Sequence, residues 1–468
     1  MPRTSACCGL FDPHTIMNKT DAVPGQPTRI LHPGGAVAIV VGIVVGAGIF
    51  KTPSMVAGLT GDAGWLLAVW VGGAVISLAG ALCYAELCSA HPHAGGDYHF
   101  LSKAYGKNLS FLYAWAKAMV INTGSIALLA YVFGDYMSEV IALGPYSSAL
   151  WAVIIVVLLT VTNILGLRSS ANLQTVLIVL VLLGLAAVVW AGFYSTPAAG
   201  APQEFFVKRP PLGLLGLSMV FVLLTFGGWN EAAYVSSEVK GGPRAMAGVL
   251  IISLTIITGV YLLVNMALLW GLGLSGLAES KTAATDVLGR ATGHGAEKVL
   301  GVLVALAALT SINSTMIVGA RTNYALGRDW AALRGLGRWR AHRGVPVTSY
   351  LFQAAVSLAL VGFGAFQADG FNAMVEFTAP VFWAFLFLVG VSVFVLRRKH
   401  PDTVRPFTVP LYPFTPMVFC LACAYLTYSS VTYAASQQAV HVSLVVMAAG
   451  LVALLVLNLR TARPRALD

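Results

Sequence analysis

Apolar residues in this chain run in blocks of about twenty, separated by short polar joints. Such runs predict spans at 35–59, 64–90, 109–141, 149–165, 173–194 and 212–235 in the first half. The second half adds 247–272, 299–326, 348–366, 373–396, 413–433 and 440–459. No segment between them is long and polar enough for a soluble domain. The stretch 328–346 comes closest and reads as a short basic loop with one amphipathic helix. The predicted fold class is an all-α polytopic membrane protein of twelve transmembrane helices.

Two of these runs are weakened near their middle. The first carries Gly46-Ala47-Gly48-Ile49-Phe50, and glycine costs a helix interior ~1 kcal/mol relative to alanine. The sixth carries Thr225-Phe226-Gly227-Gly228-Trp229-Asn230-Glu231. Non-helical backbone at membrane depth survives only where it is buried in protein or lines a water-filled cavity. Gly42-x-x-x-Gly46 also fits close helix packing through small residues. Two breaks five helices apart, however, occupy corresponding positions of two five-helix halves, and an odd number of spans per half inverts one half against the other. Paired interruptions of that kind point to the central binding site of a transporter. The expected organisation is an N-terminal tail (1–34), one repeat (35–194), a second repeat (195–396), two trailing helices (397–460) and a short C-terminal tail (461–468).

Composition agrees with the pattern: 468 residues, 58% apolar and 10% charged, with mean hydropathy +0.81. A net charge of +10 raises the question of nucleic acid, but the basic residues sit in alternate loops rather than in one stripe. With the N-terminus inside, 21 of the 28 Lys and Arg fall on the cytoplasmic side and 5 on the other, with Lys51 and Lys117 inside spans. That bias predicts cytoplasmic termini for a multi-pass protein of the inner or plasma membrane. Residues 1–33 contain no apolar core of a signal peptide. Of six cysteines, four lie in spans and two in the N-terminal tail, so no disulfide framework is implied; Cys420-x-x-Cys423 reads as helix packing. His91, His93 and His99 crowd the loop after the second span, but no metal site is expected there. No P-loop, Ser/His/Asp set or HExxH motif appears, so neither ATP-driven transport nor hydrolysis is indicated, and no cofactor is expected.

Several local patterns together carry a family resemblance. Gly46-Ala47-Gly48-Ile49-Phe50 resembles the Gly-Ser-Gly-Ile-Phe signature of the amino acid–polyamine–organocation superfamily. Tyr84-Ala85-Glu86-Leu87, followed by Pro92, Gly95-Gly96-Asp97-Tyr98 and Tyr105-Gly106, resembles its second span and first inner loop. Gly227-Gly228-Trp229-Asn230-Glu231-Ala232 with Glu238-Val239-Lys240 and Pro243 resembles its sixth span, and Leu396 to Asp402 with Arg405-Pro406 and Pro413 the loop after the tenth. The matches run from about Gly35 to Pro416 and lie nearest to bacterial amino acid permeases and L-type amino acid transporters. The resemblance implies two inverted five-helix repeats of the LeuT type with discontinuous helices one and six, moving amino acids by alternating access. It further implies that N–H groups around Gly46, Ala47 and Gly48 hold the substrate carboxylate, which suits the partial positive charge of a half-helix N-terminus. Carbonyls near Val44 and at Leu224, Thr225 and Gly227 would take the α-ammonium. Phe226, Asn230 and Phe382 are further candidates at the substrate.

The chain also departs from the family. Ala47 stands where serine is usual, and Leu224 where many L-type members carry a gating Phe, which leaves Phe226 or Trp229 as lids. Val181 stands where many relatives carry a lysine in place of a sodium ion, and 137–148 lacks the cysteine that joins L-type members to a glycoprotein. No disulfide-linked partner subunit is therefore expected. Relatives that bind sodium use hydroxyls of span eight with carbonyls of span one, here Ser311, Ser314 and Thr315 with Gly42 and Val45; interhelical hydrogen bonding explains the same hydroxyls.

Charges inside spans are functional candidates because each costs ~3 kcal/mol at the bilayer centre. Glu86 reads as a helix-end carboxylate bonded to nearby loop N–H groups. Glu231 is either a gating or proton-coupling group or a cap of the broken helix, and Glu238 a latch pairing with Arg244 or Arg321. Lys117 either snorkels to the inner surface or pairs with a core carboxylate and takes over coupling. Glu376 is an outer-gate residue or a helix-end charge. The reading is a secondary amino acid transporter, for neutral or broadly chosen amino acids, coupled to sodium, protons or exchange. A cationic amino acid or polyamine is the alternative if Glu231 faces the pocket. A channel or membrane-embedded enzyme lacks both the polar rings and the clustered catalytic groups it needs.

Overall fold

The computed structural model describes residues 32–91, 96–165, 171–196, 205–232, 242–293, 295–330, 333–338, 345–432, 434 and 437–462. They form sixteen helical segments: α1 (Pro33–Val44), α2 (Gly48–Thr60), α3 (Ala63–Ala90), α4 (Gly96–Tyr105), α5 (Lys107–Val140), α6 (Ser147–Ile164), α7 (Ala171–Tyr194) and α8 (Leu212–Thr225). There follow α9 (Trp229–Ala232), α10 (Gly242–Glu279), α11 (Ala283–Thr292), α12 (Ala296–Asp329), α13 (Val347–Ala365), α14 (Gly370–Lys399), α15 (Phe414–Thr432) and α16 (Gln437–Ala462).

Among the described residues nine helices are long and apolar enough to cross a membrane. Helices suit that medium because each satisfies its own N–H and C=O groups where water is absent. Their outward faces are apolar as well: Leu183, Val445 and Leu459 are 58%, 68% and 69% exposed. The first expected span is two half-helices of 12 and 13 residues, α1 and α2. The sixth is likewise divided, into α8 and the single turn α9.

Two groups of helices are evident from the packing. α1, α2 and α3 all lie against α10, and α2 and α3 also against α8. α5 instead packs along α12, α6, α13 and α14. α2 and α5 meet at only a few residues. The turn between α2 and α3 is fixed by Asp62, whose carboxylate caps α3 at the Trp65 N–H (2.9 Å) and accepts the N–H groups of Phe206, Val207 and Lys208. Burial pushes that carboxyl up, but the four backbone donors outweigh it and hold it below the usual range.

Candidate functional site

The first break spans Val45 to Ala47. α1 stops at Val44, Val45 leaves helical geometry at ψ 87°, and α2 restarts at Gly48. Among the described residues the N–H groups of Gly46 and Ala47 find no acceptor. The second break covers Phe226 to Gly228, with Gly228 at φ +108°, a conformation that glycine reaches without strain. There the Gly227 N–H folds back on the Leu224 carbonyl (3.1 Å).

The breaks lie side by side. A Cβ on Gly48 would stand 3.3 Å from the Thr225 side chain, and the Thr52 and Thr225 hydroxyls share a hydrogen bond of 2.6 Å. The Tyr261 hydroxyl of α10 reaches the carbonyl of Val44 (3.0 Å) and that of Thr225 (3.2 Å), one from each interrupted helix. Its ring is fully buried against Trp70 and Phe226. Two half-helices thus end with carbonyls gathered on one hydroxyl, while the start of α2 offers unpaired donors beside them. A zwitterion needs both acceptors and donors.

Most of the residues named from the sequence meet here. Gly46, Ala47 and Gly227 lie in the two breaks, Val44, Gly48, Leu224 and Thr225 flank them, and Ala47 has no exposed surface. Asn230, Trp229 and Phe382 lie beside the second break, lining with Gly227, Ser77 and Trp383 a cavity of about 10 Å³, room for about one water. Ser77 Oγ and Trp383 Nε1 are buried there without a partner among the described residues. Phe226 is fully buried in an aromatic cluster with Trp70 and Tyr261, at the back of the break. Trp229 packs on Tyr84 and Phe419.

Of the sodium candidates, Ser311 stands at the first break, its Oγ 3.0 Å from a Cβ built on Gly46. Gly42 lies in α1 and Val45 in the break. The Ser311 and Thr315 hydroxyls donate to Ala307 and Ser311 carbonyls of their own helix, and Ser314 is exposed. Lys117 opens a π-helical turn, Lys117–Ile121, inside α5. It is half-buried, and its ammonium lies 5.9 Å from the Tyr113 ring centroid rather than on a carboxylate of the described residues. Glu238 and His93 lie outside the described residues, as do the side chains of Glu231 and Arg244. Val181, where the resemblance leads one to expect a lysine, is buried.

Glu86 keeps the helix-end position expected of it, but its main partner is a charge. Arg397 donates to both oxygens (2.7 and 2.6 Å), the Val409 N–H adds a third bond (2.7 Å), and Arg405 stands 3.8 Å away. Two residues escaped the sequence reading. Tyr261 is one more aromatic in an apolar run, with nothing to set it apart. Lys51 did carry a signal: a lysine three residues past a glycine break, inside a span, is by default functional. It is 1% exposed, with its ammonium 2.8 Å from Asp135 Oδ2 and 3.0 Å from the Lys281 carbonyl.

Comparison with known proteins adds independent findings. The family model described as "Amino acid permease" matches residues 34–454. The b(0,+)-type amino acid transporter 1 of Rattus norvegicus is 25% identical over 397 residues, covering 83% of this chain and 80% of the relative. The large neutral amino acids transporter small subunit 2 of Mus musculus is 27% identical over 410 residues, 84% of this chain and 74% of that protein. The serine/threonine exchanger SteT of Bacillus subtilis is 27% identical over 396 residues, 82% and 86% of the two chains.

Proposed function

The chain belongs to the amino acid permease family, and on that premise we propose that its amino acid cargo binds to main-chain atoms laid bare by the two helix breaks. Amino acid transport across a membrane is its function. The substrate carboxylate rests on the N–H groups of Gly46, Ala47 and Gly48, and the α-ammonium on the carbonyls of Val44, Leu224, Thr225 and Gly227. The observation that carries this reading is the Tyr261 hydroxyl within reach of Val44 and Thr225 carbonyls, which brings acceptors of both interrupted helices to one point.

Main-chain atoms recognise any α-amino acid, so selectivity belongs to the walls. Leu223, Phe382, Trp383 and Phe419 beside the second break are apolar or aromatic, which favours neutral side chains. Relatives named for large neutral amino acids and for serine and threonine support that class. The chain works by alternating access, as twelve spans in two inverted repeats, 35–194 and 195–396, followed by two helices, with both termini cytoplasmic. Trp229 and Glu231 move with the second break. The Ser311 hydroxyl beside Gly46, with Gly42 and Val45 carbonyls, is the seat for a sodium ion if transport requires one.

Purified protein in liposomes, offered labelled neutral, cationic and acidic amino acids with and without sodium and pH gradients, tests the proposal. Saturable uptake or exchange of neutral amino acids, lost on Gly48→Leu, is expected. Uptake confined to cationic substrates, or unaffected by filling Gly48, overturns it.

A further inference from the structure

Lys51 is among the most buried side chains of the molecule, and none of the binding chemistry above uses it. It sits on α2, one turn from the first break, and its Nζ donates to Asp135 on α5 (2.8 Å) and to the carbonyl of Lys281 in the turn between α10 and α11 (3.0 Å). The Phe371 ring at the start of α14 covers it at 5.8 Å. Asp135 is 20% exposed, and its other oxygen accepts the Ser148 hydroxyl of α6 (2.7 Å).

The placement of this pair is what distinguishes it. α2 belongs by packing to α8 and α10, whereas α5 belongs to α12 and α6. Across the seam between the two groups α2 and α5 touch at few residues, and two polar contacts lie at that spot: Lys51 on Asp135, and the Tyr136 hydroxyl on the Phe50 carbonyl (2.9 Å). A buried ammonium cannot leave its carboxylate for apolar surroundings; it leaves only as water arrives to take its place. Separation of α2 from α5 is therefore tied to flooding of the space directly above Gly46–Gly48.

We infer that Lys51 and Asp135 form the latch of the outer entrance, closed in this structure, and that its opening admits the amino acid to the first break. Lys51 and Asp135 are gating residues and do not touch the substrate. The inference rests on the alternating-access reading above, which assigns the α2 end of the first span to the outer side.

The test uses the full chain with its native cysteines replaced by alanine and Thr52→Cys as reporter, since Thr52 is 2% exposed and next to the latch. A membrane-impermeant maleimide is added to intact cells. Asp135→Asn, which strands the ammonium, and Lys51→Met/Asp135→Asn, which removes both charges and guards against misfolding, are compared with the latched chain. Labelling of the reporter about tenfold faster in the double variant is expected, since a coupling of ~1.4 kcal/mol shifts a two-state equilibrium that far. Unchanged labelling in folded variants, judged by monodisperse elution and melting point, overturns the latch as a mere structural ion pair. Exchange by the unaltered chain in the same cells is measured in parallel. Its absence would count against the transport reading alone, because reporter labelling decides the latch by itself.

Discussion

Tyr261→Phe removes one atom from the place where the two interrupted helices meet. The ring keeps its contacts with Trp70 (5.4 Å between centroids) and Phe226 (5.0 Å), so packing is conserved and only the hydroxyl is lost. That hydroxyl has a single proton within 3.0 Å of the Val44 carbonyl and 3.2 Å of the Thr225 carbonyl. Its removal leaves at least one buried acceptor without a donor, a cost of about 1–3 kcal/mol. The penalty falls on the arrangement that holds both breaks together, which is the arrangement the amino acid must find. If binding draws on it, affinity weakens by between about 5-fold and about 150-fold. Binding of a labelled neutral amino acid to purified protein, with the melting point measured alongside, reads both quantities. Affinity within twofold of the unaltered chain, at a lowered melting point, would reduce Tyr261 to a structural brace and refute the shared acceptor site.

Other perturbations probe separate parts of the same device. Gly48→Ala sets a Cβ 3.3 Å from Thr225, and the overpacking, about 1–3 kcal/mol, should cut uptake about tenfold with the protein still folded. Glu86→Gln removes the charge that Arg397 and Arg405 share; because Arg397 keeps 22% exposure, the loss is about 2 kcal/mol rather than the full penalty for a stranded buried ion, read as a lowered melting point. His91, just past the end of α3, is pushed down to about 4 from its ordinary 6.5, by burial first and then by Lys103, His400 and Arg405. An unfolded chain takes up that proton near 6.5 and the folded chain only near 4, so this contribution is intact above 6.5 and drains away as pH falls between the two. His91→Gln should flatten that part of the melting-point profile, and an unchanged slope would assign it to other groups.

The interruptions were legible because glycine acts locally: Gly46, Gly48, Gly227 and Gly228 weaken their own helices wherever the rest of the chain goes. Partnerships across the bundle were not legible. Lys51 and Asp135 are 84 positions apart, Glu86 and Arg397 311 apart, and no periodicity links them. Tyr261 could not be separated from the other aromatics of apolar runs until its hydroxyl was seen to face two carbonyls. The expectation for Lys117 rested on its depth along the helix. Depth along one axis does not say which neighbour a side chain turns to, and this one lies against Tyr113.

Two ion pairs among the described residues, Lys51–Asp135 and Glu86–Arg397, acquire a common meaning from the way the helices group. Glu86 lies on α3, which packs with α8 and α10 as α2 does, while Arg397 lies on α14, which packs on α5. Both pairs therefore cross the seam between the same two groups. They cross it at different depths, on either side of the first break: from the turn at Asp62, Lys51 is ~16 Å back along α2, the break ~24 Å back, and Glu86 ~36 Å forward along α3. A hinge between two rigid groups opens one end of such a seam while compressing the other. Each ion pair resists separation at its own end, because its charges part only into water. With a charge clasp on either side of the break, opening one entrance does not require releasing the other. On the proposed alternating-access reading, the helix breaks between them face one side of the membrane at a time, which is the geometrical condition that separates a carrier from a channel.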